Sequence, residues 1–208
     1  MSKCKYIIVV AGLSGSGKST MVNALGKHYG NKAYAIDIDD IDDKASLEAL
    51  ESTKDVLGYG TIDMYHYKRM YENMRQLSDI IKKCDREILI FTGVISIIRE
   101  IASIVGNAKY IPIYLDVPLQ TIWERRMKRE MDTILRNIKD IVNEPLSNPH
   151  AFHIRLLHHY KIRTGFCNNP LWLQDEYYKN RDELTQRGYT LVTEDDMINY
   201  LNEIIKTK

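Results

Sequence analysis

The residues Gly12, Leu13, Ser14, Gly15, Ser16, Gly17, Lys18, Ser19 and Thr20 concentrate three glycines, one lysine and four hydroxyls in nine positions. That composition suits a loop that wraps an anion. Glycine lets successive backbone N–H groups converge without interference from Cβ, and a helix starting near Lys18 adds the positive end of its dipole. Gly12 through Ser19 fill the spacing G-x-x-x-x-G-K-[ST] without substitution. The expected ligand is therefore a nucleoside triphosphate, with Lys18 reaching the β- and γ-phosphate oxygens and the Ser19 hydroxyl ligating magnesium. Thr20 is expected to face the helix interior or to assist the cap. With glycine at about 7% of residues, chance places such a match in roughly one chain in a hundred of this length. An apolar run before it and an amphipathic stretch after it make the reading more specific.

Two further clusters could act on a bound phosphate. The run Asp37-Ile38-Asp39-Asp40-Ile41-Asp42-Asp43 follows a short apolar segment directly. Carboxylates at the carboxyl end of a strand stand where open α/β sheets bind ligands. The competing reading is a solvated acidic turn that caps the next helix, and Asp42 and Asp43 are expected to be surface charge at a helix start. Such carboxylates favour a neutral hydroxyl as phosphate acceptor, because a monophosphate would be repelled. Against this, magnesium can absorb one carboxylate, and Lys68, Arg69 and Arg75 offer positive charge to a phosphate. In the segment Glu124-Arg125-Arg126-Met127-Lys128-Arg129, Arg125 and Arg129 are four apart and share a helix face. Planar guanidinium groups fit phosphate oxygens; the alternative is a solvated basic face paired with Glu124 or Glu130.

These residues need a scaffold. Residues 5–10 read KYIIVV, the continuous β-branched run of a parallel strand covered on both faces. Met21, Val22, Leu25 and Tyr29 then recur at helical spacing, and Gly30 is placed to end that helix. A second strand is predicted over 33–36. A mostly helical stretch spans 45–82, broken near Gly58 to Gly60, with Met64, Lys68, Tyr71, Met74, Leu77 and Ile81 at steps of three and four. A third strand covers 88–91 and ends at Thr92-Gly93, a short helix covers 97–105, and a fourth strand covers 110–115. Pro112 lacks an amide donor, so that ladder is expected to begin beyond it. Residues 119–142 form one long helix with Met131, Ile134, Leu135, Ile138, Ile141 and Val142 as its stripe, and Pro145 and Pro149 break the chain after it. Two more helical stretches flank a last strand over 189–192, with a turn at Gly188. Alternating strands and helices without repeats imply one domain over 1–208, a doubly wound parallel sheet.

Taken together, GLSGSGKST, AIDIDD, ILIFTG and YLDVPLQTIWERRMKR resemble the small-molecule and nucleotide kinase group of P-loop proteins, and in spacing the shikimate and gluconate kinases most, over most of residues 5–130. The resemblance implies a P-loop NTPase three-layer α/β/α sandwich, with a five-stranded parallel sheet ordered 2-3-1-4-5 as in nucleoside monophosphate kinases. It also implies substrate-binding helices over about 44–82 and a helical lid over about 124–150. It implies ATP and Mg²⁺ as cofactors. Lys18, Asp37, Asp39, Arg125 and Arg129 would be catalytic, Asp37 helping Ser19 to hold the metal through its water shell. Asp39 or Asp40 would grip the acceptor hydroxyl, with one taking its proton. Gly93 would admit the substrate closely, and Arg99 would be a basic substrate-facing residue or a surface arginine. The carboxylate that many relatives carry at the end of strand three is missing here. Adenine contacts are expected from the lid base and from Thr193 to Asp195.

Other signals are weaker. His150, His153, His158 and His159 lack the cysteine or carboxylate partners of a zinc site. The tyrosines around Tyr65, Tyr67 and Tyr71 read as packing. Asp55 to Gly58 matches D-x-x-G, but no apolar strand precedes it, so a GTP switch is not expected. With 29 basic against 28 acidic residues, no global charge calls for nucleic acid or a membrane surface. Cys4, Cys84 and Cys167 show no C-x-x-C spacing, and no charged-then-apolar leader is visible, so a cytoplasmic setting is expected. The leading expectation is an ATP-dependent kinase acting on a hydroxyl of a small metabolite, sugar acid or nucleoside. The alternatives are a (deoxy)nucleoside monophosphate kinase, a polynucleotide 5′-hydroxyl kinase using residues 150–163, and a nucleotide-binding P-loop protein without turnover.

Overall fold

The computed structural model describes residues 3–42, 60–93, 95–143 and 170–206. They gather into two compact units. The first takes the described residues within Met1–Gly12, Gly17–Asp116 and Leu184–Lys208, and the second those within Leu13–Ser16 and Val117–Glu183.

The first unit is built on β1 (Tyr6–Ala11), whose six residues are all buried. An uninterrupted apolar run is stable only where both sheet faces are covered, and β1 is the middle strand of five. It pairs in parallel with β3 (Ile88–Thr92) on one side and β4 (Lys109–Leu115) on the other. Beyond them lie β2 (Ala33–Asp37) and β5 (Thr190–Val192), giving the order β2-β3-β1-β4-β5. This is the strand order expected from the sequence.

Side-chain alternation sends Ile7, Val9 and Ala11 of β1 to one face together with Leu89 and Phe91 of β3. There they cluster with Leu77 and Ile81 of α2 (Gly60–Lys83) and Ile97 and Ile98 of α3 (Ile95–Ile98). The opposite face is covered by α1 (Lys18–Tyr29), which buries Val22 and Leu25, and by the last helix, Met197–Lys206. The Tyr6 hydroxyl donates to the carbonyl of Ile205 in that helix (3.4 Å), and the Tyr29 hydroxyl reaches Asn202 (3.3 Å). The architecture is a three-layer α/β/α sandwich around a parallel sheet.

Two local expectations need correction. Pro112 sits inside the β1–β4 ladder, paired with Val9. Within a strand, N–H groups alternate sides. Lys109 N–H points to β1, bonding Lys5 O at 2.7 Å, whereas Asp116 N–H points to β5, bonding Val192 O at 2.9 Å. Even-numbered Pro112 therefore lacks its donor on the β5 side, where pairing starts only at Ile113. The missing hydrogen bond falls where no strand needs it. The helix expected over 97–105 is instead α3 followed by a separate 3₁₀ turn, Ile101–Ser103.

The second unit contains most of two helices. The first, α4 (Leu119–Asn143), buries Ile122 and Arg126; α5 (Pro170–Gln186) buries Leu173 and Tyr177. Met131, expected in the apolar stripe of α4, is 51% exposed. Among the described residues no helix is long and apolar enough to cross a membrane. The break at Gly58-Tyr59, the D-x-x-G at 55–58, Asp43, Cys167, the four histidines His150, His153, His158 and His159, and the lid end at 144–150 lie outside the described residues.

Candidate active site

The crown of the glycine-rich loop is a turn closed by Ser16 N–H donating to Leu13 O at 3.0 Å. Gly15, its third residue, has φ +90°, and among the described residues no non-glycine residue has positive φ. That combination defines a type II turn, which favours glycine at this position. Gly17, also at φ +91°, is the N-cap of α1 and uses no side-chain cap; its carbonyl accepts from Met21 N–H at 2.9 Å. Lys18 and Ser19 open the helix, where orphan N–H groups and the dipole favour an anion. Thr20 is exposed, so its side chain does not face the helix interior as expected.

Ser19 and Asp37 meet. The Ser19 hydroxyl donates to Asp37 Oδ2 at 2.9 Å, which brings two hard oxygens of the predicted magnesium set together, the donor chemistry that ion takes. The other oxygen of Asp37 accepts the N–H of Asp39 at 3.2 Å, turning the chain from the end of β2 into the helical residues 38–42. Asp39 and Asp40 are exposed. Gly93, just beyond β3, has φ +139°, and a Cβ there would lie 2.8 Å from both Ile38 Cβ and Asp39 Oδ1. The chain itself therefore requires glycine at 93, because the start of the 38–42 turn packs against it. Arg99 follows α3 with Nε 3.7 Å from Glu100 Oε1. In the turn before the last helix, the Thr193 hydroxyl donates to Asp196 Oδ2 at 2.7 Å and accepts the Asp196 N–H at 3.3 Å.

Asp42 is not the surface charge expected from the sequence. It is 5% exposed. Arg69 Nε donates to its Oδ1 at 2.7 Å, Arg69 Nη2 bonds Oδ2, and Asn73 Nδ2 donates to Oδ1 at 2.7 Å. Burial by itself would raise the Asp42 pKa, but the hydrogen bonds from Arg69 and Asn73 and the Arg69 charge outweigh it and hold the carboxyl below its ordinary value. Arg75 is likewise engaged, bonding Glu72 and lying 3.7 Å from Asp79.

In the second unit, α4 holds the loop crown. Arg125 Nη1 donates to Ser16 O at 3.2 Å, Arg126 Nε donates to Ser14 O at 2.6 Å, and Arg129 Nη2 donates to Ser14 Oγ at 3.2 Å. Arg125 and Arg129 are exposed, whereas Arg126 is 5% exposed. Arg126 and Asp42 were not singled out from the sequence as site residues. A signal existed: each stands four residues after a buried isoleucine, Ile122 and Ile38, and so falls on the apolar face of its helix.

A family model described as an AAA domain matches residues 8–144. The chain belongs to the AAA domain family. The matched AAA domain segment runs from β1 past the end of α4 and so contains the glycine-rich loop, the Asp37 segment and the arginines of α4. No curated protein matches the chain. Among solved structures it is similar to a shikimate kinase from Acinetobacter baumannii in complex with shikimate, at 16% identity over 99% of this chain and 95% of that one, with a TM-score of 0.44. It is also similar to a shikimate kinase from Bacteroides thetaiotaomicron (15% identity, 97% and 98% of the two chains, TM-score 0.45). A gluconokinase from Sinorhizobium meliloti 1021 matches at 15% identity over 88% of this chain and 95% of that one, TM-score 0.36. Family membership, the loop between β1 and α1, and the strand order make this a P-loop NTPase fold with kinase-like topology.

Proposed function

We propose that this chain is an ATP- and Mg²⁺-dependent kinase that transfers the γ-phosphoryl group to a hydroxyl of a small metabolite, sugar acid or nucleoside, the whole chain serving as one kinase domain. The observation that carries the reading is the 2.9 Å contact of Ser19 Oγ with Asp37 Oδ2, directly followed by the exposed carboxylates of Asp39 and Asp40. Ser19 and Asp37 would hold the magnesium ion, which when bound neutralises phosphate charge. The loop N–H groups from Gly12 to Thr20 cradle the triphosphate, and Lys18 places its ammonium on the transferring group. Arg125 and Arg129 add charge from α4 to phosphates at the crown. Asp39 or Asp40 binds the acceptor hydroxyl and accepts its proton as the oxygen bonds to the γ-phosphorus and the bond to the β–γ bridging oxygen breaks, leaving ADP. Little covalent chemistry falls to the protein; positioning and charge neutralisation do the work. Gly93 and Arg99 complete the proposed acceptor set.

Engagement of Arg69 with Asp42 and of Arg75 with Glu72 leaves the monophosphate kinase alternative with less support, since those cations already have carboxylates. The test is a panel of acceptors with γ-labelled ATP, run beside Lys18→Ala. Label transfer to a sugar acid, another hydroxyl metabolite or a nucleoside, abolished in Lys18→Ala, is the expected result. Transfer only to monophosphates overturns the acceptor class, and nucleotide binding without transfer to any acceptor overturns the kinase reading.

A further inference from the structure

Arg126 belongs to no part of the chemistry above, yet it is the most buried guanidinium among the described residues. Its Nε donates to Ser14 O at 2.6 Å, its Nη2 lies 3.6 Å from Glu176 Oε2 on α5, and its Cγ stands 3.0 Å from where a Cβ on Gly15 would be. The carbonyl it holds is the one that decides the turn. Types I and II differ mainly by a half-rotation of the central peptide, here Ser14–Gly15, and only the type II form places the third residue at positive φ. The peptide unit is planar and trans, so its carbonyl and the following N–H point in opposite directions. Drawing Ser14 O to Arg126 therefore aims the Gly15 N–H away from Arg126.

We propose that Arg126, neutralised by Glu176, is a positioning residue that locks the Ser14–Gly15 peptide in its flipped orientation and so presents the Gly15 N–H to a phosphate. The clamp acts through the loop backbone and touches no substrate. A buried cation needs a counter-charge and hydrogen bonds to be tolerated. Glu176 supplies the first and the turn carbonyl one of the second, which ties α5 to the conformation of the loop. The proposal's functional half rests on the reading of this loop as a triphosphate site; its structural half does not.

The test uses the full chain, with inorganic tripolyphosphate and Mg-ATP as probes. The first readout is the Gly15 amide resonance of ¹⁵N-labelled protein without ligand; the second is the dissociation constant of each probe. Arg126→Gln should shift the Gly15 resonance and weaken both probes by about 10- to 100-fold, the effect of losing one charge-assisted hydrogen bond. Arg126→Lys, which keeps the charge and a donor, should recover most of that loss. A folded Arg126→Gln with an unmoved Gly15 resonance and affinities within about twofold of wild type overturns the proposal, as does a loss confined to the thermal midpoint. If Arg126→Gln does not fold, Glu176→Gln takes its place, with a shifted Gly15 resonance expected and an unmoved one overturning the clamp. If the wild type binds neither probe, the kinase reading fails, and the resonance still decides the clamp separately.

Discussion

Replacing Asp42 by alanine tests whether the buried acidic residue at the end of the Asp37 segment anchors α2. The substitution removes two hydrogen bonds from Arg69 and one from Asn73. A hydrogen bond to a charged group nets roughly 1.5–3 kcal/mol, and breaking a buried ion pair by deleting one partner costs roughly 3–5 kcal/mol. The Asp42 side chain is 7% exposed but that of Arg69 is 30% exposed, so water recovers part of the orphaned guanidinium. The cost falls at or just below that lower end, about 2–3 kcal/mol. For a chain of this size that lowers the unfolding midpoint by about 5–10 °C. The pH dependence has a definite sign. The folded carboxyl is held below its ordinary value, so its contribution is fully present above the unfolded value of about 4 and fades as pH falls through the lower folded value. Urea unfolding of wild type and Asp42→Ala between pH 7 and pH 3 should show a constant gap down to about pH 5 that narrows only below about pH 4. Adding Arg69→Met to Asp42→Ala should cost less than the two changes separately, because the partners share one interaction. A gap under about 0.5 kcal/mol at pH 7, or one that widens on acidification, refutes the account.

Gly93→Ala should destabilise by about 2–4 kcal/mol, from backbone strain at positive φ together with overpacking against Ile38 and Asp39; urea unfolding reads it, and a change under about 0.5 kcal/mol contradicts the packing described. Asp37→Asn removes one charge from the predicted metal set while leaving an oxygen for Ser19. It should raise the magnesium concentration needed for half-maximal transfer by about 10-fold or more; an unchanged magnesium titration argues against Asp37 in that role.

What the sequence determined by itself is what short stretches encode. An uncovered β-branched run cannot persist, so residues 5–10 declared a central strand, and the loop's spacing is a covalent fact that needs no partner. The alternation of periods two and 3.6 implied a parallel, doubly wound sheet, and the resemblance to the P-loop kinases implied the strand order observed. The tertiary structure decided the fate of charges. Asp42 reads as surface charge until Arg69 and Asn73 arrive from 27 and 31 residues away, and Arg126 reads as one basic residue among several until Ser14, 112 residues earlier, offers its carbonyl. Pro112 looked unsuited to a central strand, but its missing donor would matter only on the side where a neighbour pairs, and β5 begins one residue later. Periodicity assigns a residue to a face, but whether a charge survives on a buried face depends on hydrogen bonds and counter-charges from distant chain segments that only folding brings together.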